Sequence, residues 1–416
     1  MEARLTPSRL IGRIKAPSSK SFSHRMLIAA ALADGVSEVS NISTSNDIDA
    51  TVDALTALGA KIYREGGTYT VMGIKKPAEN AVINCRESGS TLRFIIPIAA
   101  ALGCESEFHG SGKLPERPIT PYIREMGKNG VTIIREEGVM PFTMSGRLTG
   151  GEYLLEGDVS SQFITGLLFA LPLCSGDSVI KLTSKLESKP YADMTLSALK
   201  TFGITVEETA DENGYPQYFI KGGQKYTPAD CTVEGDYSQA AFFFTANALG
   251  SEITVDNLDP NSVQGDKKIL EIMQEIGYNK LERLKPFSVD VSDIPDLVPI
   301  LTVLGSFTDG VCRITGAKRL KIKESDRLLA ISEALNSIGG KVICGDDFLE
   351  IHPVESFHGG RVLGCNDHRI VMAAAIASTA SDGEIVITDA EAVTKSYPDF
   401  WEDFRSLGGK AALYGE

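Results

Sequence analysis

Six times in this chain of 416 residues a glycine turn opens a short alternating apolar run, and six times an apolar helical stretch closes on a glycine. The opening glycines are Gly35, Gly103, Gly176, Gly250, Gly310 and Gly383, spaced 60 to 74 residues apart. The closing ones, Gly59, Gly127, Gly203, Gly277, Gly339 and Gly408, keep the same phase. A glycine behind an apolar helix suits the left-handed cap position, where a side chain is penalised sterically. Six in register predict a repeated βαβ-type unit. The period is longer than the roughly 20–50 residues of solenoid repeats. It therefore points to a pseudo-symmetric enzyme scaffold of few large units, with its chemistry between them.

A hydrophobic fraction of 43% over this length predicts a globular chain of two or three domains. Residues Met1 to Gly12 lack a signal-peptide core, and no segment reaches the about 18 apolar residues of a membrane span. The nearest, Phe163 to Cys174, is broken by Thr165, Gly166 and Pro172 and reads as a buried helix. Seven scattered cysteines form no Cys-x-x-Cys pair, and five histidines form no ligand cluster. Disulfides, a metal site and a bound cofactor are not expected, and a reducing cytoplasm is. A formal charge of −14 argues against non-specific nucleic-acid binding and makes each local knot of cations more informative.

Those knots recur at strand–helix junctions. Ser18-Ser19-Lys20-Ser21, with His24 and Arg25 behind it, reads as a capped helix start able to take an anion. Glu87-Ser88-Gly89-Ser90-Thr91-Leu92-Arg93 opens a second helix, with Arg93 expected in its first turn, where a bound anion would offset the dipole. Prolines flank Glu116-Arg117 and restrict where Arg117 points. Ser160-Ser161-Gln162 and Tyr191 offer hydroxyls and an amide suited to a polyol or phosphate. In the C-terminal half, Asp296 precedes an apolar helix, and Lys323 and Arg327 stand four apart, on one face if that segment is helical. Asn366-Asp367-His368-Arg369 and Lys395-Ser396-Tyr397-Pro398-Asp399 complete the set. Many cations with few cysteines or histidines indicate polyanionic small-molecule substrates, with Asp296 and Glu324 as the carboxylates placed to exchange protons.

Taken together, and in this order along the chain, the motifs resemble those of the 5-enolpyruvylshikimate-3-phosphate synthases, a family of enolpyruvyl transferases, nearly end to end. The resemblance implies a two-domain inside-out α/β barrel of six pseudo-repeated βαβαββ units, three per domain. One domain would run from 19 to 234 and the other combine 1–18 with 235–416, with the active site in the cleft. It implies transfer of the enolpyruvyl group of phosphoenolpyruvate to the 5-hydroxyl of shikimate-3-phosphate. Lys20, Gly89, Arg117, Gln162, Lys323, Arg327, Arg369 and Lys395 match the phosphoenolpyruvate positions. Lys20, Ser21, Arg25, Ser160, Ser161, Gln162, Tyr191, Asp296 and Lys323 match the shikimate-3-phosphate side. Lys20, Asp296 and Glu324 match catalytic positions, with no metal and no cofactor. A monomer is expected. Gly89 matches the position where alanine narrows the site in glyphosate-tolerant relatives, so sensitivity to glyphosate is expected.

Two positions depart from the family pattern. Glu87 stands where the family commonly has asparagine, and Arg319 replaces a common asparagine ahead of Lys323. The alternatives are a transferase acting on UDP-N-acetylglucosamine and a non-catalytic anion-binding relative. Against the first, the loop Gly110 to Arg117 lacks the reactive cysteine of that family, and Cys104 lies earlier. Against the second, Lys20, Asp296, Glu324 and Arg369 are all present.

Overall fold

Serine and aspartate caps decide where the helices begin. Ser19, Ser45, Ser88 and Ser160 each accept a bond from a backbone amide of their helix's first turn, as do Asp236, Asp326 and Asp367. The computed structural model describes residues 1–135, 140–279 and 283–415. It divides into two compact units, Ser18–Glu234 and Met1–Pro17 with Gly235–Glu416.

The chain opens with β1 (Glu2–Thr6) and β2 (Ile11–Lys15), which belong to the second of these units. The first unit begins with α1 (Lys20–Leu32), β3 (Val36–Ser40), α2 (Asn46–Ala57), β4 (Lys61–Glu65) and β5 (Thr68–Met72). Its next repeat is β6 (Asn80–Asn84), α3 (Gly89–Leu102), β7 (Glu105–His109), α4 (Thr120–Lys128), β8 (Val131–Arg135) and β9 (Phe142–Gly146). Its third is β10 (Glu152–Leu155), α5 (Ser161–Ala170), β11 (Ser178–Leu182), α6 (Lys189–Thr201), β12 (Val206–Ala210) and β13 (Pro216–Ile220). The short β14 (Cys231–Thr232) returns to pair with β3. Ser18 belongs here, since its amide and hydroxyl bond Ser43.

The second unit continues with α7 (Tyr237–Ala248), β15 (Glu252–Asp256) and α8 (Lys268–Glu275). Then come β16 (Ser288–Asp290), α9 (Val298–Gly305), β17 (Cys312–Thr315), α10 (Arg327–Asn336), β18 (Lys341–Cys344) and β19 (Phe348–His352). It ends with β20 (Gly360–Val362), α11 (His368–Ala377), β21 (Ile385–Ile387), α12 (Phe400–Ser406) and β22 (Lys410–Tyr414).

Among the described residues five four-stranded sheets share one plan, a parallel pair extended by two antiparallel strands: β14-β3-β5-β4, β6-β7-β9-β8, β10-β11-β13-β12, β16-β17-β19-β18 and β20-β21-β1-β22. Among the described residues the remaining repeat shows a parallel pair, β2 with β15. The sequence expectation of repeated βαβαββ units therefore holds. Helices lie inside and sheets outside. Nearly every residue of α3 and every residue of α11 is buried, whereas one face of β4 is wholly exposed. In the first unit α3 packs on α5, and α6 on α1 and α5; in the second α11 packs on α7 and α9. Each unit has its own apolar core. No described helix is long and apolar enough to cross a membrane.

The glycine phase needs one correction. Gly127 lies inside α4, and the left-handed turn falls at Gly130, with φ +89°, where a Cβ would meet the Arg147 carbonyl at 2.6 Å. The helix continues through Gly127 because nothing there forces the backbone out of αR, and a chain reversal is required only where β8 begins.

Candidate active site

In the first unit three serine-capped helix starts carry most of the candidate residues. Lys20 is the first residue of α1, and its Nζ meets Asp47 Oδ2 of α2 at 2.8 Å. Gly89 is the first residue of α3. A Cβ built there would lie 2.6 Å from Arg117 Nη1, 3.1 Å from Arg93 Nη1 and 3.6 Å from Gln162 Oε1. Gln162, at the start of α5, accepts from Arg93 Nη1 at 2.6 Å and donates through Nε2 to Ser90 Oγ at 3.0 Å. Ser160, half-buried, caps α5, and the next residue, Ser161, is buried. Gly89, Arg117, Gln162, Ser90 and Arg93 thus form one cluster. Its two helix N-termini and two guanidinium groups suit an anion. Arg93 is the fifth residue of α3, beyond the first turn expected for it, and is held over the Phe163 ring.

Beneath this surface a chain of hydroxyls joins three helices. His24 Nδ1 meets Thr51 Oγ1 at 2.8 Å, Thr51 meets Thr91 at 2.7 Å, and Thr91 donates to Ser88 Oγ at 2.7 Å. Burial, seconded by Lys20 and Arg25, holds the His24 imidazole well below its ordinary pKa and therefore neutral.

Arg25 turns inward. Its guanidinium donates to the Ser21 and Tyr191 carbonyls at 2.7 and 2.8 Å, to Thr195 Oγ1 at 2.9 Å and to Thr165 Oγ1 at 3.4 Å. Burial pulls it down to about 9, which leaves it charged at neutral pH. It braces the segments that present Ser21 and Tyr191.

The second unit gathers the other candidates. Asp296 sits in a 3-10 turn, Pro295–Leu297, just before α9. Its Oδ1 accepts from Arg327 Nη1 at 3.1 Å and its Oδ2 from Arg369 Nη2 at 2.9 Å. Arg327, the first residue of α10, also donates to Glu324 Oε2 at 2.6 Å and to Asp367 Oδ2 at 2.9 Å. Arg369 Nη2 reaches Ser238 Oγ of α7 at 3.1 Å, and Lys395 Nζ donates to the Asn366 carbonyl at 2.8 Å. Burial alone would raise the Asp296 pKa, but Arg369, Lys323 and Arg327 hold the carboxyl well below the usual range. Burial pushes the Lys323 ammonium down to about 8, partly opposed by Asp296.

One local expectation changes here. Lys323 and Arg327 do not share a helix face, because α10 starts only at Arg327, with Asp326 as its cap and Lys323 extended at ψ −154°. The carboxylate of Asp326 bonds the Leu329 amide and stops the helix from reaching back. Glu324 and Arg327 meet instead.

Three participants escaped the sequence reading as site residues: Asp47, Asp367 and Arg93. Asp367 is fully buried and caps α11 while bracing Arg327, a role hidden by the 40 positions between them. Arg93 was visible in its motif but not its bond to Gln162. Arg319 donates to the Ser292 carbonyl at 2.8 Å, and its charge helps to lower Lys323. Cys104 is buried just before β7 and burial raises its pKa, the opposite of an activated thiolate.

A family model described as EPSP synthase (3-phosphoshikimate 1-carboxyvinyltransferase) matches residues 5–404. A 3-phosphoshikimate 1-carboxyvinyltransferase of Clostridium kluyveri is 46% identical over 98% of this chain and 97% of its own length. Its counterpart in Clostridium perfringens is 44% identical over 97% and 98%. Among solved structures, an EPSP synthase of Acinetobacter baumannii superposes with a TM-score of 0.82 at 25% identity, covering 99% of this chain and 100% of that one. The enolpyruvyl transferase NikO of Streptomyces tendae, at 17% identity and a TM-score of 0.76 over 99% and 98%, shares the fold.

Proposed function

The chain belongs to the EPSP synthase family, and from that premise we propose how its residues divide the reaction. The reaction transfers the enolpyruvyl group of phosphoenolpyruvate to the 5-hydroxyl of shikimate-3-phosphate and releases phosphate, a step of aromatic amino acid biosynthesis. Lys20, Arg117, Lys323, Arg327, Arg369 and Lys395 hold the phosphate and carboxylate of phosphoenolpyruvate, with Gly89 leaving room for them. Ser21, Ser160, Ser161, Gln162 and Tyr191 orient shikimate-3-phosphate, with Lys20 and Lys323 adding charge. Arg25 serves that side from beneath, by bracing Ser21 and Tyr191.

The observation that carries this reading is the Asp296 carboxylate clasped by Arg327 and Arg369. In that clasp it is a weak base. An arriving anion competes for both guanidinium groups, and each opposite charge withdrawn returns about 1–3 pK units to a carboxylate. Substrate binding therefore prepares Asp296 to take the 5-hydroxyl proton. The oxygen then adds to C2 of phosphoenolpyruvate while Glu324 protonates its methylene carbon, giving a tetrahedral adduct. Expulsion of phosphate and return of one methyl proton to the enzyme restore the double bond on the new ether.

The test is phosphate release by the purified protein with both substrates, and with UDP-N-acetylglucosamine as the alternative acceptor. Release should require shikimate-3-phosphate and fall by about 10²–10⁴ in Asp296→Ala, the usual span for loss of a general base. Binding of both substrates with no release would overturn the proposal.

A further inference from the structure

Glu87 places an acid two residues from the anion-binding Gly89, where like charge should weaken phosphoenolpyruvate binding. The structure uses it differently. The turn ahead of α3 is pinned on one side by Arg86, a left-handed residue at φ +51° whose guanidinium meets Asp53 at 2.7 Å and Asp49 at 3.8 Å on α2. On the other side the turn carries the loop that follows β7. The Cys85 amide donates to the His109 carbonyl at 2.8 Å, and the Ser111 amide to the Arg86 carbonyl at 2.7 Å. Glu87 points to this loop. A Cβ built on Gly112 would lie 2.7 Å from Glu87 Cδ, 2.8 Å from Oε2 and 3.0 Å from Cγ, so the carboxyl group takes the space a side chain at 112 would need. Gly112 is itself left-handed, at φ +58°.

The loop is short and stiff beyond that point. Leu114 is buried, its amide donates to the Ser111 carbonyl at 3.2 Å, and the Arg117 amide donates to the Leu114 carbonyl at 3.1 Å. At the far end the Arg117 guanidinium covers Gly89. The turn 85–89 therefore meets the loop at the Arg86 carbonyl, which takes the Ser111 amide, at Glu87 on Gly112 and at Gly89 under Arg117.

We propose that Glu87 is a positioning residue, a strut that lies across Gly112 and sets the 110–117 loop so that Arg117 overlies Gly89. The inference rests on the enolpyruvyl-transfer reading only for what Arg117 holds, and the strut itself is measurable without substrate.

Two readouts test it on the full chain: hydrogen exchange of the 110–117 amides without ligand, and steady-state KM for each substrate. In Glu87→Ala the loop amides should exchange about fivefold faster, as expected for a locally loosened segment. The KM for phosphoenolpyruvate should rise about tenfold, equivalent to about 1.4 kcal/mol, with that for shikimate-3-phosphate within about twofold. Gly112→Ala, which displaces the carboxyl from the loop side, should resemble Glu87→Ala in both. Unchanged exchange in Glu87→Ala overturns the strut. A lowered KM for phosphoenolpyruvate in the same variant shows plain like-charge repulsion and overturns it too. Faster exchange in Glu87→Ala, when the parent itself never releases phosphate, upholds the strut and sinks the functional reading instead.

Discussion

At the scale of single residues the second unit is organised by Arg327, whose guanidinium is shared among Asp296, Glu324 and Asp367. Three acids on one buried cation are stable together and unstable apart, because removing a partner strands a desolvated charge. Lys323 stands beside this knot with its pKa drawn down to about 8, chiefly by burial. Two consequences of opposite sign follow. Above pH 8 the ammonium loses its proton and its attraction for phosphoenolpyruvate, so kcat/KM for that substrate should fall about tenfold per pH unit on the alkaline limb. Stability should move the other way. The unfolded lysine keeps its proton up to about 10.4, so the unfolded chain binds more protons between these values and stability rises with pH there. Activity lost while the denaturation midpoint holds or rises identifies Lys323 as the cause, and Lys323→Arg should remove the limb. If the limb persists in that variant, another group is responsible. The charged residues of this knot were legible one by one in the sequence. Their pairing was not, because Asp296 and Asp367 lie 31 and 40 positions from Arg327 and only the packed helices bring them together.

At the scale of elements, the registration of α3 against α5 decides where Gly89, Arg93 and Gln162 stand. Pro97 lies inside α3 and has no amide to give the Arg93 carbonyl four residues back. Tyr122 of α4 fills that vacancy: its hydroxyl lies 2.6 Å from the Arg93 carbonyl and 3.0 Å from that of Phe163 on α5. The approach is possible because α5 carries Gly166 at the crossing, where a Cβ would lie 2.2 Å from Tyr122 Oη and 2.3 Å from the Arg93 carbonyl. Gly166→Ala should therefore push the two helices apart and cost at least the about 1–3 kcal/mol of ordinary overpacking. Tyr122→Phe keeps the packing but leaves a buried carbonyl unsatisfied, at about 1–3 kcal/mol. Urea midpoints measure both, and Tyr122→Phe with the parent's midpoint would refute the account. In the sequence Gly166 was visible only as an interruption of an apolar run, and nothing singled out Pro97. The glycine rhythm was readable because helix stops are local, and it slipped at Gly127 because a helix tolerates glycine wherever no reversal is demanded. The Lys323–Arg327 spacing misled for the same local reason: an aspartate cap at 326 outranks a charge pattern in deciding where a helix starts.

At the scale of the whole molecule, the net charge of −14 makes the two basic clusters local exceptions in a repelling field, and anionic substrates are drawn only where cations and helix starts coincide. The repeat architecture was legible because five of the six sheets among the described residues follow one plan. What the repeat alone conceals is that the chain enters the second unit, leaves it, and returns at Gly235. This has a testable consequence for folding. The first unit contains every strand of its own three sheets, with β14 closing the sheet begun by β3. The second unit does not end as it begins. Its last sheet holds β1 between β21 and β22, pairing Leu5 with Ile385 on one side and Ala411 on the other, and β2 is the partner of β15. Residues Ala3, Leu5, Leu10 and Ile14 of that opening segment are buried in its core. A fragment of residues 235–416 would thus lack an inner strand, exposing two ladders of unpaired backbone groups and an apolar slot. We expect residues 18–234 alone to show a single cooperative thermal transition by circular dichroism, and residues 235–416 alone to show none. Addition of a peptide spanning residues 1–17 should restore a transition to the second fragment, with a midpoint that rises with peptide concentration, since binding to the folded form alone shifts the equilibrium by mass action. A cooperative transition in 235–416 without the peptide would mean that the sheet closes without its inner strand, and the dependence argued from β1 would be wrong.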